Sequence, residues 1–188
     1  MRVAAIILAA GASRRLGQPK QLVEYKGETL IARAVRIAHE AELQPVIVVL
    51  GAERDAVRAA VRDERVVIVE NDAWSEGIAS SMRAGLEALG PDVSGALMMP
   101  CDQPRLSAEH LTRMMHSFAN GVIVASTYAG VRGVPAIFPP GTWSELMKLS
   151  GDVGARRLLQ DPAWPVVEVA FEGGEVDIDA PEDLAELQ

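Results

Sequence analysis

The chain contains a single cysteine, Cys101, among 188 residues. One thiol excludes any disulfide framework within the chain and fits a reducing compartment, so a cytoplasmic location is expected. Long apolar runs are also missing: nothing approaches the ~20 residues of a membrane span, and no membrane partner is expected. Positive charge is scarce, with 18 Lys and Arg against 26 Asp and Glu and a net charge of −8. A basic face is the usual mark of a nucleic-acid binder, so polymeric nucleic acid is excluded as an expected partner. No cluster of His and Cys stands at metal-ligand spacing, and zinc is not expected. Neither GxxxxGK[ST] nor GxGxxG occurs, because Gly11 and Gly17 stand alone. The opening "MRVAAIILAAGAS" superficially resembles a signal peptide. Its apolar stretch is short and runs into a glycine turn with charges behind it, so it reads as a buried strand.

What is present is a chain 49% hydrophobic and 23% charged, suited to one domain over residues 1–188. Apolar runs recur at Val3–Ala10, Val46–Leu50, Val66–Val69, Ala96–Met99 and Val122–Ser126. Helical periodicity fills the intervals, at about Thr29–Glu42, Glu53–Val61, Ile78–Leu89 and Ser107–Phe118, with Ser107 as a candidate N-cap. Continuous apolar strands alternating with helices predict an α/β fold: a Rossmann-like, mostly parallel sheet sandwiched by helices. The turn-rich "TYAGVRGVPAIFPPGTW" predicts a hairpin excursion in the C-terminal third. Short helices at about Trp143–Leu149 and Val153–Gln160, a late strand at Val166–Phe171 and a closing helix at Pro181–Leu187 complete the reading.

Ligands of such sheets bind at the carboxyl ends of the strands. That rule directs attention to the loops Gly11–Lys20, Gly51–Glu53, Glu70–Gly77 and Pro100–Pro104. The first follows a strand with a small-residue turn and then Arg14, Arg15 and Lys20. Small residues let backbone amides approach anionic oxygens, and cations neutralise them. Charge is also uneven: residues 1–40 hold seven Lys and Arg against three acids, and residues 168–188 hold eight acids without Lys or Arg. A basic start suits an anionic ligand; an acidic end is either a solvated face or a place that holds a cation. Spacing alone does not decide between a phosphate site and ordinary surface charge.

The stretch "LAAGASRRLGQPKQLVEYKGETLI" resembles the signature LAAGxSxRMGxxKxLL…GxxLI of MobA-like nucleotidyltransferases, most of all the molybdenum cofactor cytidylyltransferase (MocA-type) branch. "NDAWSEGIASSMRAGL", "PCDQP", "RGVPAIFP", "GDVGARRLL" and "DIDAPEDL" resemble further family motifs in the same order, so the resemblance spans nearly the whole chain. It implies the MobA-like nucleoside-diphosphate-sugar transferase fold. The reaction it implies is attack of an acceptor phosphate on the α-phosphorus of a nucleoside triphosphate, with release of pyrophosphate. Leu8, Ala9, Ala10, Gly11, Ala12 and Ser13 would bind nucleotide. Arg15 and Lys20 would neutralise the β/γ and α phosphates, while Arg14 sits at a variable family position and reads as surface charge. Asp102 would hold Mg²⁺ as the principal metal ligand and Asp179 as a second, with Asp177 structural. Asn71, Gly77 and Ser81 would read base and ribose, with a φ > 0 turn as the alternative role for Gly77, and Trp74 would either pack beside that loop or touch the ligand.

The acceptor implied is molybdopterin, with CTP preferred over GTP because Ala10 stands where the guanylyl branch reads LAGG. A molybdenum-dependent dehydrogenase is a possible downstream partner. Two alternatives stay open: a sugar phosphate or another small phosphorylated acceptor, and a non-catalytic molybdopterin-binding accessory protein. Two departures stand out: Leu16 replaces Met, and Val134 replaces the His of the family's GHP motif. The plain alternatives to these roles are surface charge for Arg15 and Lys20 and a turn or cap for Asp102 and Asp179. His39, His110 and His116 fall in helical stretches and read as surface or packing residues; Met98, Met99, Met114 and Met115 read as core.

Overall fold

The computed structural model describes residues 1–61 and 65–187; positions 62–64 and 188 of the expected domain lie outside them. In chain order the strands and helices are β1 (Val3–Ala9), β2 (Glu24–Tyr25), β3 (Glu28–Thr29), α1 (Leu30–Glu40), β4 (Val46–Leu50), α2 (Arg54–Ala60), β5 (Val66–Glu70) and α3 (Ile78–Glu87). There follow β6 (Gly95–Pro100), α4 (Ala108–Ser117), β7 (Ile123–Tyr128), β8 (Val131–Phe138), α5 (Trp143–Met147), α6 (Arg156–Gln160) and β9 (Val166–Ala170). The closing helix forms over Pro181–Leu187 as a 3₁₀ helix. Helix starts follow local chemistry: the hydroxyls of Thr29 and Ser107 accept from the amides of Ala32 and His110, capping α1 and α4.

Seven strands form one sheet in the order β5-β4-β1-β6-β8-β7-β9. Six run in one direction; β8 alone runs against both of its neighbours. The expected hairpin exists as β7–β8, but both arms are built into the main sheet rather than leaving it. β8 wedges between β6 and β7.

Alternate strand residues feed opposite layers. Ala5 and Ile7 of β1, Val46 and Val48 of β4, and Leu97 and Met99 of β6 pack with α1, α2 and α4. Ile6, Ile47, Val49, Ala96 and Met98 pack with α3, α5 and α6. A sheet buried on both faces needs apolar side chains at every position, which is why the strands read as continuous runs. The chain builds β1, β4 and β5 outward, then returns to lay β6 on the other side of β1. The crevice at such a reversal is where open sheets bind ligands.

Candidate functional site

β1 delivers the chain at Ala9 to this crevice. The side-chain amide of Gln21, 1% exposed, donates to the carbonyls of Ala9 at 2.8 Å and Gly11 at 2.9 Å. One buried amide therefore holds both shoulders of the turn. Ser13 follows in the left-handed region at φ 50. A serine held there stores strain of order 1–3 kcal/mol, which the surroundings must over-determine. They do: its carbonyl accepts from Leu16 and Gly17, and its hydroxyl accepts from the Lys20 amide at 3.0 Å. Leu16 is buried with Val23, Leu30 and Ile178 and anchors the loop to the C-terminal segment.

That anchoring brings acids to the loop. The Ile178 amide donates to the Asp102 carbonyl at 3.0 Å, setting Asp179 beside Asp102. The Lys20 ammonium donates to a carboxylate oxygen of each, in a short contact with Asp102 and at 2.8 Å with Asp179. Arg15 reaches the other oxygen of Asp179 at 2.9 Å from an exposed position. Burial pushes Lys20 toward its neutral form, but Asp102 and then Asp179 outweigh it, so its pKa lies above the ordinary lysine value. The hydrogen bond from Lys20 holds Asp179 below the usual carboxylate range. Burial, and then the charges of Asp102 and Asp179, push Asp177 up. Neighbouring Cys101 is buried, and its thiol is pushed up to about 12, chiefly by that burial, which removes it as a nucleophile.

Across the crevice, the Asn71 amide nitrogen donates to the hydroxyls of Ser80 at 2.8 Å and Ser81 at 3.0 Å, and its oxygen accepts from the Ala73 amide. Asn71 thus braces the loop. Gly77 has φ 107, and a Cβ there would fall 2.3 Å from the Gly151 backbone. Only glycine allows that approach, which ties the Trp74–Gly77 turn to the "GDVG" segment.

A cleft of about 370 Å³ results. It gathers Leu8, Ala10, Gly11, Ala12, Ser13, Lys20, Gly77, Ser81 and Asp102 of the expected site residues. Ala9 is turned into the core, Asn71 sits behind Ser81, and Arg15 and Asp179 stand beside Lys20. Arg14, expected on the surface, lines the cleft together with Trp74, Ser75 and Asp152. Sequence reasoning missed Gln21 and Asp152. A glutamine three residues before a charged strand gives no local sign that its amide will bridge a turn. The Gly151 motif did point to Asp152's loop.

His110 is a packing residue: it is 2% exposed, bonds the Ser126 hydroxyl at 2.8 Å and stacks on Phe171. Among the described residues no three His, Cys, Asp or Glu side chains gather to hold a metal by themselves. Nor is any helix among them long and apolar enough to cross a membrane.

A family profile described as the MobA-like NTP transferase domain matches residues 5–167. Nicotine blue oxidoreductase of Paenarthrobacter nicotinovorans is 34% identical over 98% of this chain and 96% of its own length. The purine catabolism protein PucB of Bacillus subtilis is 30% identical over 95% and 92%. A probable molybdenum cofactor guanylyltransferase of Bacillus cytotoxicus is 29% identical over 60% of this chain and 55% of its own. Among solved structures, Rv0371c of Mycobacterium tuberculosis superposes with a TM-score of 0.87 at 30% identity, covering 100% of this chain and 97% of its own. Its manganese complex matches with a TM-score of 0.81 at 30% identity, covering 100% and 98%.

Proposed function

Because the chain belongs to the MobA-like NTP transferase family, we propose that it transfers CMP from CTP to the phosphate of molybdopterin, using Mg²⁺ and releasing pyrophosphate. We propose further that residues 1–188 act as one nucleotidyltransferase domain. The observation that carries the reading is Lys20 bridging Asp102 and Asp179 at the edge of the small-residue cleft.

The same contact tests whether a divalent cation fits. The Lys20 ammonium touches one oxygen of each carboxylate, so the two hard donors lie close enough to share one cation; a metal would take that place with Lys20 turned to the phosphate. Mg²⁺ needs few protein ligands when phosphates supply the rest. Asp102 and Asp179 would hold it, and it would neutralise charge on the phosphate oxygens.

The protein's own part is positioning and charge. The backbone around Ala10–Ser13, fixed by Gln21, lies against the nucleotide. Lys20 meets negative charge developing on the α-phosphate. Arg15 and Arg14 bring further positive charge for the β and γ phosphates. An acceptor phosphate oxygen bonds to the α-phosphorus, the bond to the bridging oxygen breaks, and pyrophosphate leaves. Ser81 presents a hydroxyl to the base. Ala10 supports CTP: its methyl group sits beside Gly51 and Trp74 and narrows the strand end.

The deciding experiment incubates the full chain with each nucleoside triphosphate, Mg²⁺ and a panel of acceptors including molybdopterin, and follows pyrophosphate. CTP- and acceptor-dependent release is expected. Binding of molybdopterin without release would make the protein an accessory carrier. A second reading, electron transfer, is favoured by the full-length likeness to a protein named nicotine blue oxidoreductase. Oxidation or reduction of nicotine blue by this chain without pyrophosphate release would replace our reading.

A further inference from the structure

Lys20 and Asp102 are each followed by a buried glutamine, Gln21 at 1% and Gln103 at 8% exposure. The two glutamines are built alike. Each spends its amide nitrogen on two backbone carbonyls: Ala9 and Gly11 for Gln21, Val134 at 3.3 Å and Gly174 at 3.0 Å for Gln103. Each leaves its Oε1 buried with no hydrogen-bond partner among the described residues. A buried acceptor without a partner lowers stability, so such a group calls for a physical reason.

For Gln103 the reason lies in what it holds. After β9 the chain turns at residues 171–174, where the Gly174 amide donates to the Phe171 carbonyl, and runs on to Asp179. Two contacts fasten this segment to the loop that follows β6. The Gln103 amide donates to the Gly174 carbonyl, and the Asp102 carbonyl accepts from the Ile178 amide at 3.0 Å. Gly174 admits no side chain, since a Cβ there would fall 2.4 Å from the Phe171 ring and 2.5 Å from the Tyr128 ring. Ile178 is wholly buried with Leu16, Val23 and Leu30, and Asp179 follows it to Lys20. The second bond of Gln103 goes to Val134 of β8, so the clamp rests on the sheet as well as on the returning segment.

We propose that Gln103 is a positioning residue for the divalent cation: it ties residues 174–179 to the end of β6 and so sets Asp179 where it and Asp102 reach one ion. The proposal rests on the metal-dependent transfer reading. Mg²⁺ demands near-ideal geometry at about 2.0–2.1 Å, so carboxylates from distant segments need a rigid tie to share it. Groups that hold metal ligands in place typically control about 10–100-fold in metal affinity. The stranded Oε1 is the cost of carrying a donor to two carbonyls in a dry place.

The test titrates Mn²⁺, read by its electron paramagnetic resonance signal, into the full chain saturated with α,β-methylene-CTP. Gln103→Met keeps length and packing, removes the donor and also removes the stranded oxygen. It is expected to keep the unfolding midpoint within about 4 °C of the native chain and to bind Mn²⁺ about 10–100-fold more weakly. Binding of the analogue in EDTA is expected to be unchanged, because residues 10–13 and Ser81 are untouched. Adding Gln103→Met to Asp179→Asn is expected to cause no further loss of Mn²⁺ affinity, since Gln103 acts through Asp179. Gln103→Asn, one methylene too short to reach Gly174, carries the same expectations and decides the matter if Gln103→Met unfolds. Equal Mn²⁺ affinity in the native chain and a folded variant overturns the proposal, as does an equal loss in the native and Asp179→Asn backgrounds. Unfolding of both variants overturns it too, by making Gln103 a stability residue. Absence of Mn²⁺ binding to the native chain with the analogue defeats the metal-dependent reading itself, and the proposal with it.

Discussion

The Nζ of Lys20 lies 2.8 Å from Oδ1 of Asp179, a residue 159 positions further along the chain. The same ammonium holds Asp102, so a lysine from the first loop bridges two carboxylates from distant segments. Lys20 and Arg15 face three acids, Asp102, Asp177 and Asp179, which leaves a local deficit of positive charge. Additional positive charge would therefore be accepted at this point, as the proposed metal-bound nucleotide requires.

Asp102→Asn is expected to bind CTP with little change and lose most Mg²⁺-dependent turnover. The amide is a poorer ligand for a hard cation, while the Ala10–Ser13 backbone and Ser81 are untouched. Titrating Mg²⁺ to saturation in a pyrophosphate assay checks this; full turnover at high Mg²⁺ would remove Asp102 from the metal site.

Lys20→Ala is expected to lower kcat more than it raises KM for CTP, by ~2–4 kcal/mol of transition-state stabilisation. Steady-state kinetics with CTP varied read the split directly. A change confined to KM would place Lys20 in ground-state binding.

Two glycines separate fold from ligand. Gly77→Ala forces an L side chain to φ 107 and into the Gly151 backbone; it is expected to cost roughly 3 kcal/mol or more. A Cβ at Gly11 meets nothing within 4 Å. Gly11→Ala is expected to keep stability within about 0.5 kcal/mol yet weaken nucleotide binding, because its methyl group stands where a phosphate or sugar approaches. Urea unfolding and CTP titration of both variants check the contrast; a destabilised Gly11→Ala would contradict it.

Burial, aided by Arg113, lowers the His110 pKa to about 4, against ~6.5 in the unfolded chain. The folded state keeps the imidazole neutral, so the unfolded state binds the extra proton between these values. Stability is expected to be unaffected above pH ~6.5 and to fall as pH drops from there toward 4, by up to about 3 kcal/mol. Unfolding curves against pH for the native chain and His110→Gln test it; equal slopes in that window would show that His110 is not the titrating group.

Ala10→Gly is expected to raise kcat/KM for GTP relative to CTP, with a partial effect of ~1–3 kcal/mol, as for any single missing methyl contact. The Ala10 methyl group stands beside Trp74 and Gly51, so its removal opens the strand end to a larger base. Competition between the two nucleotides at fixed Mg²⁺ measures the ratio; an unchanged ratio would move base selection elsewhere in the cleft.

Local chemistry determined much of this protein. Runs such as Val46–Leu50 announced strands buried on both faces, because a two-sided core tolerates no polar alternation. Ser107 announced a helix start because its hydroxyl satisfies a free amide within three residues. The loops at strand ends located the cleft, since the connectivity of an α/β sheet places them together. The tertiary structure alone decided the rest. It inserted β8 antiparallel inside the sheet, committed the Asn71 amide to Ser80 and Ser81, and set the Gln21 amide across the first turn. It also closed Lys20 onto Asp102 and Asp179. Each of these depends on strand order and register, which bring together residues far apart in the chain. No pattern within a few residues encodes which distant carboxylate a given ammonium will meet.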